Sequence, residues 1–410
     1  MRSAYRKVAG VLIVLIAAVF GFTAYLQLIL PDRYYVVQGE SFSLGGLFGL
    51  KAEGFSQTMP LEVYSRAGNS YQMQLTLPGG PVVKTISVQV VDRDMVIPGG
   101  RPFGIKMFTE GVMVVGMSDM DVSGQMQNPA KRAGIKAGDI ILEMNGQKVS
   151  FNEDVGKIVS ESNGQPVDVM VKRDDKVFHT SLQPISSPTD GVFRAGIWVR
   201  DSSAGIGTMT YYNPATGVFG GLGHAICDID TGDIMPLASG EAVDVTITGV
   251  NRGSSGSPGE LKGMFSGTSA IGSLILNGET GVFGTCGFSP IQAEPVELAV
   301  RSEVELGPAT IYTTVNGKTP EAFSIVIEKI AAGDNNPTKN MVIRVTDPKL
   351  LEKTGGIVQG MSGSPILQNG RLVGAVTHVF VNDPTRGYGI FAENMERSVR
   401  ESGIAGKNAA

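Results

Sequence analysis

The chain has 410 residues, enough for two or three domains. Its 55 glycines and 7% aromatic content favour turn-rich β structure over a helical bundle. A formal net charge of −5 without a long basic run argues against nucleic acid as a partner, and three histidines with two unclustered cysteines argue against a metal centre. No metal and no cofactor is therefore expected. Cys227 and Cys286 are either paired in an oxidising compartment or isolated thiols, and spacing does not decide between them.

In chain order, Val8 to Leu30 is a 23-residue uncharged stretch, long enough to cross a bilayer as a helix. Arg2, Arg6 and Lys7 precede it, which puts the N-terminus in the cytoplasm and the bulk of the chain outside. An uncleaved anchor over residues 1–31 is preferred to a signal peptide, because the apolar region is long and no small-x-small site follows closely. Residues 32–98 read as a small β-domain. Ile86, Val88 and Val90 alternate with Ser87 and Gln89 after a Gly79-Gly80-Pro81 turn.

Residues 99–187 carry Phe103-Gly104-Ile105, a Gly111–Val115 strand pattern, and Pro129-Ala-Lys-Arg-Ala-Gly-Ile-Lys-Ala-Gly-Asp-Ile-Ile-Leu-Glu-Met-Asn-Gly146. A groove helix over Asn152–Ser162 and a closing strand over Val167–Lys172 follow. This block resembles a PDZ domain. The resemblance implies a peptide ligand added to a sheet edge beside the helix, with Phe103, Gly104 and Ile105 forming the carboxylate loop. His179 lies in the strand-like Lys176–Leu182 and reads as structural.

Residues 188–410 turn to short apolar strands between Gly, Asp and Asn turns, as in a β-barrel or sandwich. Near the end, Thr354-Gly-Gly-Ile-Val-Gln-Gly-Met-Ser-Gly-Ser-Pro365 places Ser362 between glycines on a strand-to-strand turn. Glycines let main-chain N–H groups converge beside a serine hydroxyl, as acyl transfer requires. The turn resembles that of chymotrypsin-like serine peptidases, with Ser362 as nucleophile and the N–H groups of Gly360 and Ser362 as oxyanion hole. Gly253-Ser-Ser-Gly-Ser-Pro258 repeats the pattern with Ser255, but in a polar loop with no apolar strand close behind, so Ser362 is preferred.

His224, among glycines in Phe219-Gly-Gly-Leu-Gly-His224, is the first choice of base, and His378 in Ala375-Val-Thr-His-Val-Phe380 is the second, or a support of the cleft. Asp347 gives the order His-Asp-Ser, but it stands only 15 residues before the serine. Its Asp-Pro pair also reads as a plain turn. Asp228, Asp230 and Asp233 are rivals, and calcium binding by that acidic turn is an alternative.

Taken together, the anchor, the β-segment, the PDZ block and then the peptidase motifs resemble the stage IV sporulation protein B peptidases of endospore-forming bacteria. High-temperature-requirement proteases have the peptidase first. The resemblance maps base, acid and nucleophile onto His224, Asp347 and Ser362. It implies a mainly β chain ending in a chymotrypsin-like barrel domain. It further implies a membrane-tethered endopeptidase in the forespore intermembrane space. Such an enzyme cuts itself and then a membrane-bound regulator of late sporulation sigma-factor activation; tethering and the mixed, glycine-bearing composition of Asp32–Pro60 place the expected self-cleavage within that segment. A catalytically silent PDZ scaffold and a general quality-control protease are the alternatives.

Overall fold

The uncharged N-terminal stretch forms helix α1 (Arg2–Ile29), whose Ala9–Ile29 portion has a mean hydropathy of 2.4 and is long and apolar enough to cross a membrane. The structure is a computed structural model and describes residues 2–40, 42, 44, 49–54, 67–333 and 335–404. After α1 come β1 (Arg33–Val37), β2 (Lys51–Gly54), β3 (Ser70–Thr76) and β4 (Val82–Val91). They form one sheet in the order β1-β4-β3-β2, with β1 parallel to β4. The alternation of Ile86, Val88 and Val90 holds, because all three side chains are buried on one face.

The register of the next strands redraws the expected domain limits. Strand β5 (Met95–Pro98) leaves the small domain and pairs with later strands. Strand β6 (Pro102–Met117) is long enough to serve two domains. Its second half pairs with β7 (Ile140–Met144), which continues through β8 (Val167–Arg173) to β9 (Lys176–Leu182). Helices α2 (Pro129–Arg132) and α3 (Asn152–Glu161) pack on this sheet around Val112, Val114, Ile141, Val155, Val159 and Val169. The sheet closes with the start of β10 (Ile197–Asn213), where Ile197 to Arg200 pair with Met117 to Met113.

The first half of β6 and the second half of β10 belong to a different body. With β11 (Val218–Gly221), β12 (Leu237–Asn251), β13 (Glu260–Gly278) and β14 (Gly281–Thr285) they close a six-stranded antiparallel barrel in the order β6-β10-β11-β14-β13-β12. Phe103, Ile105, Met107, Met209 and Phe219 fill it. The PDZ-like unit is thus an insertion between two neighbouring strands of this barrel, tied in by two continuous strands rather than a linker. The limits expected at 98/99 and 187/188 fail for that reason.

A short strand β15 (Val296–Leu298) leads to a second six-stranded barrel. It consists of β16 (Gly307–Thr313), β17 (Glu321–Ile330), β18 (Met341–Val345), β19 (Pro365–Gln368), β20 (Arg371–Phe380) and β21 (Asp383–Phe391). The pairings run β16-β17-β18-β21-β20-β19 and back to β16. Helix α4 (Pro348–Thr354) precedes the serine turn, and α5 (Ala392–Ser402) ends the described chain. Barrels remove sheet edges by closure, so the irregular segments between strands carry the remaining free backbone groups.

Candidate active site

The stretch 354–365 leaves α4 at Gly355, a left-handed C-cap at φ 77°, and runs between the barrels. Ile357, Val358 and Met361 are buried and anchor it. Nearly every backbone group of the turn has a partner. Met361 N–H donates to Val358, Gly363 N–H to Val376, and Ser364 N–H to Met361. Among the described residues, three N–H groups of the stretch find no acceptor, those of Val358, Gly360 and Ser362, and the last two flank the Ser362 hydroxyl. Two unpaired donors flanking one serine hydroxyl are what a developing oxyanion needs. Gly360 sits at φ 94° and Gly363 at φ 93°. A side chain at position 363 would overlap the Thr208 carbonyl, so the two barrels meet closely there.

The Ser362 hydroxyl donates to the Thr377 carbonyl at 2.7 Å. His224 is brought beside the same strand by a sharp turn, with Leu222 at φ 66° and Gly223 at φ 71°. A Cβ on Gly223 would lie 2.9 Å from the Thr377 Cγ2 methyl, so glycine is what lets the His224 turn approach β20. The imidazole of His224 and that of His378, one residue beyond Thr377, lie 5.0 Å apart between ring centres. His224 Nδ1 is 2.8 Å from the Ala225 carbonyl oxygen. That oxygen has no proton to give, so Nδ1 carries the hydrogen and Nε2 keeps the lone pair of a base. Burial pushes the His224 pKa below its ordinary value, against the Ala225 hydrogen bond. Burial, with His224 and Lys339 nearby, brings His378 down to about 4. The Nδ1 atom of His378 is buried without a hydrogen-bond partner.

Asp347 is not joined to this pair, which corrects its expected place. Its carboxylate is the N-cap of α4. It accepts from Lys349 N–H at 2.9 Å and Leu350 N–H at 3.3 Å, and its other oxygen accepts from Ser324 N–H at 3.3 Å. Pro348 at the first helical position completes a helix start. The physical reason is local: an aspartate before Pro-Lys-Leu-Leu serves the free N–H groups of its own helix. Two of the three rivals are also engaged. Asp228 is fully buried, accepts from Asp230 N–H and Thr231 N–H, and pairs with Arg200, which also reaches Asp230 at 2.8 Å. Burial alone would raise the Asp228 pKa, but these partners hold it below the usual carboxylate range. His179 sits on the PDZ-like sheet, 2.9 Å from Asp168 and away from the site.

The repeated Gly-Ser loop lies against the serine turn. Ser255 donates to the Asn382 carbonyl at 2.9 Å. Gly253 N–H reaches Thr354 and Gly256 N–H reaches Val381, while Gln359 donates to the Gly259 carbonyl and accepts from Leu261 N–H. The loop holds the turn from the side, a role its likeness to the nucleophile motif did not disclose. Beside Gly360 a cleft of about 360 Å³ opens between Gly205, Ile206, Leu261, Phe265 and Gln359. It lies next to the unpaired Gly360 N–H group. The two thiols are free, with Cys227 exposed and Cys286 buried. Burial raises the Cys286 pKa to about 11.

Phe103, Gly104 and Ile105 are not a carboxylate loop. They lie in the barrel half of β6, where Gly104 pairs with Ile206 on one side and Val243 on the other. Phe103 and Ile105 are buried. A strand with both edges paired has none to offer a peptide. The groove of the PDZ-like unit is instead a cavity of about 600 Å³ between α3 and the start of β10, lined by Asn152, Val155, Val159, Phe193, Ile197 and Trp198. Trp198 is exposed at its mouth.

Comparison with known proteins agrees with these two units. The family model for the SpoIVB peptidase S55 matches residues 191–396, just over half of the chain, and a PDZ domain model matches residues 86–183. A probable periplasmic serine endoprotease, DegP-like, of Bartonella henselae is 25% identical over 139 residues, 33% of this chain and 27% of that protein. The regulator of sigma-W protease RasP of Bacillus subtilis is 42% identical over 55 residues, 13% of each chain. The chain thus spans about a quarter or less of these curated relatives. Among solved structures, the inactive form of the Rv3671c protease covers 50% of this chain and 85% of its own, at 14% identity and a TM-score of 0.27. With two closed barrels, a serine turn between them and a family match over all of their strands except β6, the chain belongs to the SpoIVB peptidase S55 family.

Proposed function

We propose that this chain is a membrane-tethered serine endopeptidase that cuts its own N-terminal segment and then a membrane-bound regulatory protein in late sporulation signalling. The observation that carries the peptidase reading is the pair of unpaired N–H groups, Gly360 and Ser362, beside a hydroxyl that shares β20 with the His224 turn. In the reaction the Ser362 hydroxyl leaves the Thr377 carbonyl, passes its proton to His224 Nε2 and attacks the substrate carbonyl. The oxyanion is taken up by the two N–H groups, and His224 returns the proton to the leaving amine. The Ala225 carbonyl holds the imidazole in the required tautomer. Asp347 contributes by capping the helix that leads into the serine turn.

The signalling role follows the family, the SpoIVB peptidases. Helix α1 supports the tether. The groove between α3 and β10 is the proposed site of the PDZ peptide ligand, which would add to the free edge of β10. Of the proposed self-cleavage segment Asp32–Pro60, β1 and β2 are paired strands, and residues 41, 43, 45–48 and 55–60 lie outside the described residues. The residues between and after these strands, up to Pro60, are the proposed sites of cutting. The test is the N-terminus of wild-type and Ser362→Ala chains, read by mass spectrometry after expression in membranes. A wild-type chain shortened within Asp32–Pro60, beside a full-length Ser362→Ala chain, supports self-cleavage. Identical N-termini would remove it.

A further inference from the structure

The hole has donors on two peptide units, 359–360 and 361–362, joined by the unit 360–361. That middle unit decides how the donors are aimed, because a trans peptide is flat and turns as one piece. A glycine at its start leaves it easy to turn, since position 360 has no side chain to hinder rotation. Its two ends are held separately: the Met361 N–H donates to the Val358 carbonyl within the turn at 3.1 Å, and the carbonyl end is held by a residue from the other barrel. The Thr208 hydroxyl donates to the Gly360 carbonyl at 2.8 Å. The N–H of the same threonine donates to the Ser362 carbonyl at 2.9 Å, and the Thr208 carbonyl accepts from Leu222 N–H, two residues before His224. Two residues on, the Thr210 hydroxyl donates to the Gly363 carbonyl at 2.8 Å, and Thr210 is fully buried.

We infer that Thr208 is the positioning residue of the oxyanion hole: its side chain fixes the Gly360 carbonyl, and so keeps the N–H groups of Gly360 and Ser362 turned toward the reacting carbonyl. The inference rests on Ser362 being the nucleophile. Thr208 touches neither substrate nor the transferred proton. It acts on the turn through one hydroxyl, whereas its backbone bonds survive any side-chain change. Its other neighbours leave the hydroxyl free for this work, since its N–H and carbonyl are used separately.

The experiment uses the full chain in detergent and the variants Thr208→Val and Thr208→Ser. Valine keeps the shape and removes the donor, and serine keeps the donor. The substrate is the fluorogenic peptide that the wild-type chain cuts fastest from a randomised library. The probes are the matching peptide aldehyde, which forms an oxyanion on Ser362, and the peptide alcohol, which does not. Losing a hole donor outright costs about 100- to 1000-fold, so loosening two of them is expected to lower kcat by about tenfold or more. KM should be unchanged, aldehyde binding should weaken in step with kcat, and alcohol binding should hold. Thr208→Ser should recover most of the rate. Should the valine variant not fold, Thr208→Ala replaces it with the same expectation. Wild-type kcat without the hydroxyl would overturn the inference. So would equal weakening of aldehyde and alcohol, or a folded serine variant as slow as valine. Activity remaining in Ser362→Ala would instead overturn the nucleophile assignment beneath it.

Discussion

Replacing Asp347 by asparagine separates a helix cap from a triad acid. As a cap, the side chain accepts from Lys349 and Leu350 N–H groups through one oxygen, which the amide oxygen of asparagine replaces, and only the long Ser324 N–H bond to the other oxygen, at 3.3 Å, is lost. Asp347→Asn is then expected to keep kcat within a few-fold of wild type. Asp347→Ala loses the cap, at a cost of about 1 kcal/mol. That corresponds to a fall in Tm of ~2–4 °C for a domain of this class. Its effect on turnover should stay within about tenfold, since the strain falls on α4 and the helix still leads into a turn held by Thr208 and Gly259. A triad acid behaves differently. Asparagine in that place leaves the geometry intact yet lowers kcat by about 10⁴-fold, because the imidazole takes the wrong tautomer. The assay is kcat on a fluorogenic peptide, with thermal unfolding of the same samples. An asparagine variant with unchanged Tm and a rate down by about 10⁴ would refute the cap assignment, and with it the role given to the Ala225 carbonyl.

Other expectations concern the imidazoles, the pH response and the groove. His224→Ala should lose several orders of magnitude in kcat, His378→Ala should fall between that and wild type, and His179→Ala should be nearly silent; a normal His224→Ala with an inactive His378→Ala would move the base to His378. Because burial lowers the His224 pKa, the base stays unprotonated below its ordinary 6.5, and kcat/KM should fall only as pH drops through that lowered value. An acid limb centred above 6.5 would contradict this sign. Gly104→Leu should destabilise the first barrel, since a Cβ there would lie 2.5 Å from the Phe265 ring, whereas Gly156→Leu meets open space in the groove. The latter should weaken peptide binding to the groove and leave hydrolysis of a short peptide unchanged; the opposite pattern would return the ligand site to β6.

Much of this was legible before any coordinates. The Ile86–Val90 alternation and the order of helices and strands around Asn145–Leu182 fell where patterning put them, because each is set by near neighbours. The glycine-flanked Ser362 and His224 turns were readable because a close approach of two segments needs glycine on at least one of them. Two things were not. Phe103-Gly104-Ile105 has the local form of a carboxylate loop, and only long-range pairing with β10 and β12 makes it the wall of a barrel. The insertion of one unit into the other is likewise a matter of strand length and register, which local composition does not encode. Asp347 is a different miss. The run Asp347-Pro-Lys-Leu-Leu carries the N-cap and first-position proline of a helix start, and that signal was present in the sequence.

The central claim is that Ser362, and not its near twin Ser255, is the nucleophile. The direct measurement is peptide mass spectrometry of the chain after reaction with a fluorophosphonate, which bonds only to an activated serine. The account predicts an adduct on Ser362 in wild type and in Ser255→Ala, and none anywhere in Ser362→Ala. An adduct on Ser255, or an unlabelled wild-type chain that is folded, would contradict it.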